Sequence, residues 1–192
     1  MDFLFSKPAF LMRIDECKEF CSVQVGPVDT MLRGALLLSV SAFDFLMHEI
    51  IRIQILKRIG AGFKVTGFEI PVKLRDLSSK MLVEKIDLIV RQRNSFKSLV
   101  SSENFRKACL GFTADVWNDF DLKFNTPQLE TRKRLDVIWR WGNRIAHEGD
   151  FVPSALLFDS WPIFKVDVLD ALDFLVDLGL RFISLFEDAP YE

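Results

Sequence analysis

Only two histidines, His48 and His147, occur among 192 residues. Neither sits with cysteines or acids at a recognisable ligand spacing, so no metal site and no cofactor is expected. Cysteine is scarce as well: there are three, an odd number. Cys17 and Cys21 lie four apart, where side chains on one helix face do not easily bridge. All three read as buried thiols of a cytoplasmic protein rather than as a disulfide framework. Excess positive charge is missing, the formal net charge being −2. No global field draws nucleic acid, and any such site has to be a local basic patch. A glycine-rich phosphate loop and a serine in a glycine elbow are both absent. Repeats, low-complexity tracts and linkers are absent too, which leaves a single domain over 1–192. The opening stretch "MDFLFSKPAFLMRIDE" has an acid early and no long apolar core, unlike a signal peptide.

What is present is apolar mass: 49% hydrophobic residues, with 19 Phe and 4 Trp, enough to bury a core without staples. The run "GALLLSVSAFDFLMHEIIRIQIL" is interrupted by Asp44, His48, Glu49 and Arg52, which marks a core helix and not a membrane span. A helical period runs through almost the whole chain. It predicts a first helix over about 8–23 and a long one over about 31–59, with Asp29 or Thr30 as its cap and "GAG" as its stop. Residues 60–76 read as a loop, with a small hairpin as the alternative. A third helix begins near Ser79. Two short helices follow, capped by Ser102 and Thr113. Thr126 and Pro127 open a helix over 127–148 as cap and first helical residue, and Gly149 closes it. A last helix runs from about Lys165 to Phe186, with Asp167, Asp170, Asp173 and Asp177 as a solvated stripe. The expectation is an all-α helical bundle with long core helices and short accessory ones.

The helix over 127–148 divides into two stripes. Leu135, Ile138, Gly142 and Ile145 follow the spacing of a core-facing seam. Lys133, Asp136, Arg140, Asn143 and His147 follow the same spacing on the other side, all of them polar. At about 100° per residue, Arg140 and His147 lie only about 20° apart in projection, flanked by Asn143 and Arg144. One reading is a helix end that favours cations because its free carbonyls make it negative. The other is a phosphate site. Arginine grips phosphate oxygens bidentately, asparagine orients by hydrogen bonds, and histidine moves protons near neutral pH. His48 reads as a partly buried structural residue, or as a second lining group of the same cleft. Trp139 and Trp141 suit packing, or stacking on a base.

The stretch "GNRIAHEGD" resembles the signature of the HEPN superfamily: an Arg, four to six residues, then a His, with Asn commonly after the Arg. "LLLSVSAFDFLMHEIIR" is similar to the long second helix of the branch called RiboL-PSP-HEPN. "SSENFRKACLGF", "VWNDF" and "TRKRLDVIWRWGNRIAHEGD" resemble its approach to the motif helix, and "VDVLDALDFLVDLGLRFI" its closing helix. The resemblance covers about residues 8–186. It implies a HEPN-like helical domain that forms a homodimer in which two motif helices meet in one cleft. It also implies a metal-independent endoribonuclease of the kind found in toxin–antitoxin, abortive-infection and other defence systems.

Carried over, His147 matches the motif histidine, Asn143 the polar residue and Arg140 the arginine, with Arg144 a second cation. Lys133, Glu148 and Trp141 are the candidates for holding substrate. The branch commonly reads Arg-Arg-Asn, whereas this chain has Trp141-Gly142-Asn143. A domain that binds RNA, a nucleotide or a cognate antitoxin or defence protein, without cleavage, therefore stands beside the nuclease. So does a helical scaffold in which His147 merely finishes the helix.

Overall fold

Phe10, Ile14, Cys17 and Cys21 recur every three or four residues, and on a helix that spacing gathers them on one buried face. The structure, a computed structural model, describes residues 5–22, 28–62, 84–85, 87–89, 92, 98–150 and 160–187, with the backbone alone of Gln128 and Glu148. The apolar stripes become helices α1 (Ser6–Ser22), α2 (Val28–Gly60), α3 (Ser102–Cys109), α4 (Val116–Phe124), α5 (Gln128–Glu148) and α6 (Lys165–Glu187). This is an all-α bundle, and the described residues contain no strand. The expected hairpin or loop at 63–76, the start of the third helix near Ser79 and the loop over 151–159 lie outside the described residues.

α1, α2 and α6 pack on one another and hold most of the core. Gly179 marks their closest approach. A Cβ there would stand 2.8 Å from Leu46 Cδ2 and 3.0 Å from the Phe10 ring, so α6 can sit this close only without a side chain. α2 is long and apolar enough to cross a membrane by length and composition, but 56% of its most apolar window is buried inside the bundle. α3 and α4 are tied to α6 by a cluster of edge-on and tilted rings, Phe105, Trp117, Phe120 and Phe182. The Trp117 indole N–H in that cluster donates to the Ser102 carbonyl at 3.1 Å. All three cysteines are buried and free.

Helix starts differ from the expected caps, and tertiary contacts explain most of the differences. α2 already begins at Val28, so Asp29 and Thr30 lie inside its first turn. α4 is capped by Asp115, which accepts from Trp117 N at 3.0 Å, while the Thr113 hydroxyl turns to Asp119. Thr126 does not cap α5. Its hydroxyl donates to the Phe124 carbonyl and accepts from Arg181 of α6 at 3.0 Å, and Pro127 takes the cap position. Ser101, not Ser102, stands at the cap position of α3. The Ser102 N–H and hydroxyl are instead satisfied by Asp136 of α5, at 2.9 and 2.8 Å.

Candidate functional site

The two stripes of α5 separate in space. Leu135 and Ile138 are buried, Ile145 packs against the core, and Gly142 is buried against α2. A Cβ on Gly142 would meet Val40 Cγ2 at 3.3 Å and Cγ1 at 3.4 Å. Position 142 is therefore a helix-crossing position, with no room for a long cation. Further along, Asp150 beyond the end of α5 meets Arg33 of α2, so the two helices run antiparallel. His48 is about 12 Å along α2 from Val40, in the direction away from Arg33, and so stands well apart from His147. It pairs instead with Asp44 at 3.6 Å, whose carboxylate also accepts from Leu99 N at 2.6 Å.

On the opposite side, Lys133, Arg140 and His147 are exposed and Asn143 is half-buried. None of their side chains makes a hydrogen bond or ion pair among the described residues. Arg140, Asn143, Arg144 and Trp141 share one groove with Val137 and Trp139, about 570 Å³ in volume. His147 lies one turn beyond Asn143 on the same face but does not line that groove. Lys133 stands two turns before Arg140, about 10 Å away along the axis. The indole N–H groups of Trp139 and Trp141 are buried without an acceptor among the described residues, which fits packing better than contact with a base. The Glu148 side chain lies outside what is described.

Asp136 leaves the polar seam to satisfy the start of α3. The remaining cations of α5 are spoken for. Arg132 lies over the Trp117 ring and near Glu103, and Arg134 pairs with Asp170 of α6 at 2.5 Å. The acidic stripe of α6 is thus exposed but largely paired, since Asp173 binds Lys18 and Asp177 binds Arg181.

Arg144 is held by a group that the helical pattern did not single out. Asp150, 0% exposed, accepts from Arg144 Nε and from Arg33 Nε, the latter at 2.9 Å. Arg33 also donates to the Trp161 carbonyl, and Trp161 N–H donates to the Asp150 carbonyl at 2.9 Å. The Arg144 guanidinium lies 5.1 Å from the centre of the Trp161 ring. Gly149 and Asp150 both take the left-handed backbone, with φ of 62° and 59°, and both N–H groups return to the Arg144 carbonyl. Glycine and aspartate are among the residues that accept this conformation. Only the "EGD" after the motif hinted at this closure. Arg33, 117 positions away, carried no local signal.

Among the described residues, no three or more His, Cys, Asp or Glu side chains cluster as metal ligands would. Comparison with family models, with curated proteins and with solved structures finds no match to this chain.

Proposed function

We propose that this chain is a HEPN-type endoribonuclease acting as a homodimer, with α5 carrying the site. One observation carries the reading. In a protein of net charge −2, Lys133 and Arg140 are cations without a partner among the described residues and stand with His147 along one helix face, while Arg132, Arg134 and Arg144 of α5 have acidic partners. An unneutralised strip beside a groove holding Asn143 suits a polyanion. The exposed apolar side chains of Leu129 and Val137, 60% and 52% accessible, interrupt the same face and suit the approach of a second α5.

In this mechanism the RNA 2′-oxygen attacks the adjacent phosphorus and forms the new P–O bond as the P–O5′ bond breaks. One His147 takes the 2′-OH proton, and the His147 of the second subunit delivers a proton to the leaving 5′-oxygen. Arg140 stabilises the charge on the phosphorane. The products are a 2′,3′-cyclic phosphate and a 5′-hydroxyl, formed without a metal ion. The setting is a toxin–antitoxin or other defence system, in which a cognate protein restrains the activity.

A second reading, an RNA-binding or partner-binding domain without cleavage, is favoured by one feature. His147 makes no hydrogen bond among the described residues that would orient its ring. Incubation of mixed RNAs in EDTA separates the two. Cleavage that is lost in His147→Ala and Arg140→Ala supports the nuclease. Both positions are exposed, so stability should stay within about 0.5 kcal/mol of the parent. RNA that is bound but never cut sinks the nuclease in favour of the binding domain.

A further inference from the structure

The strongest unassigned feature is the closed cluster at the end of α5. A single arginine neutralises a buried carboxylate. Asp150 has two, Arg33 and Arg144, and Arg33 has a second acid in the exposed Asp29 at 4.0 Å, which leaves Arg144 with Asp150 as its one acidic partner among the described residues. The two arginines are not equally open to solvent: the Arg33 side chain is 13% exposed and the Arg144 side chain 33%. Arg144 is the member that lines the groove beside Arg140 and Asn143. It is gripped at Nε by Asp150 and sits over the Trp161 ring. Both of its Nη nitrogens have no partner among the described residues. A guanidinium held at Nε and seated over a ring, with its forked end free, is organised in advance for a phosphate.

We infer that Asp150 is a positioning residue which, together with Arg33 and Trp161, fixes Arg144 as a phosphate clamp in the α5 groove. This rests on the nuclease reading for its catalytic consequence but not for its anion binding. Arg33 has its own duty, holding the Trp161 carbonyl so that the ring stays over Arg144. Arg140 then supplies an exposed cation and Arg144 a fixed one, in the same groove.

Asp150→Asn is the informative variant. It keeps the shape and tolerates the left-handed backbone, but it removes the charge that holds two guanidinium groups. The first readout needs no catalysis. In heteronuclear NMR spectra of the arginine Nε–H groups, a single-stranded oligoribonucleotide or inorganic phosphate should shift the Arg144 signal in the parent. That response should be lost in Asp150→Asn. The second readout is RNA cleavage, where Asp150→Asn should lower kcat about tenfold or more while KM changes little, as expected for a misplaced charge-stabilising group. Trp161→Ala, at a ring that is 40% exposed, decides the matter if Asp150→Asn does not fold, and should weaken the same Arg144 response. An Arg144 signal that ignores both anions, or a response and kcat that survive in the variant, overturns the inference. If the parent cuts no RNA at all, the nuclease reading fails separately, and the NMR response alone decides whether the clamp exists.

Discussion

Gly142 occupies the position where the resembled branch usually carries arginine, and placing arginine there should harm the protein. Two opposing effects set the size of the smaller change, Gly142→Ala. An interior helical glycine costs about 1 kcal/mol relative to alanine, and the substitution recovers that amount. Against it stands a new methyl at 3.3, 3.4 and 3.5 Å from Cγ2, Cγ1 and Cβ of Val40. Valine has one strongly preferred χ1 in a helix, so it cannot swing both methyl groups aside. α5 has to move out by a few tenths of an ångström, and overpacking of this kind costs about 1–3 kcal/mol. Gly142→Ala should therefore lie between neutral and about 2 kcal/mol destabilised.

Gly142→Arg adds a long cation at a buried crossing where the nearest atoms are those of Val40. The penalty for burying an unpaired charge joins the steric one, and a loss of about 4 kcal/mol or more is expected. Equilibrium unfolding in urea measures both, as a shift of midpoint at constant slope. Val40→Ala should relieve Gly142→Ala, with a coupling of at least about 0.5 kcal/mol. A Gly142→Arg protein with the parent's midpoint would refute the reasoning, because it would mean that position 142 faces the groove and not α2.

Asp136→Ala should destabilise by about 1–2 kcal/mol in the same assay, since it strips the Ser102 N–H and hydroxyl of their acceptor at the start of α3; a neutral result would show that water replaces it. The thiols should resist alkylation at pH 8 in the folded state and react together on unfolding, because burial raises the Cys109 thiol well above its ordinary value and pushes Cys17 up to about 11. The linked pH effect has a definite sign. A thiol that ionises near 9 when unfolded and near 11 when folded favours the unfolded chain as the pH rises between those values, so stability should fall from about pH 9 upward. Urea midpoints across that range check it, and a Cys17→Ala variant should show a flatter decline.

Much of the architecture was legible from spacing. α5 was expected over 127–148 and runs Gln128–Glu148; α6 was expected from Lys165 to Phe186 and runs Lys165–Glu187. Apolar periodicity reports which residues face a core, and that was enough to turn Leu135, Ile138 and Gly142 inward and Arg140 and His147 outward. It does not report what meets a polar side chain from elsewhere in the chain. The caps failed for that reason. Thr126 is drawn to Arg181, and Ser102 is served by Asp136, 34 positions away.

The same blindness governs the site itself. In projection, Lys133, Asp136, Arg140, Asn143, Arg144 and His147 were equal members of one face. Asp136 is consumed by α3, and Arg144 is fixed by a carboxylate shared with Arg33. The strip that remains open is defined by where, among the described residues, distant acids are not. A helical wheel can nominate a polar face. Which of its charges stay free for a phosphate depends on the acids and arginines that other helices bring to it. Here that assignment leaves Arg140 without a partner among the described residues and makes Arg144 a fixed arginine, two roles that the spacing of the motif could not tell apart.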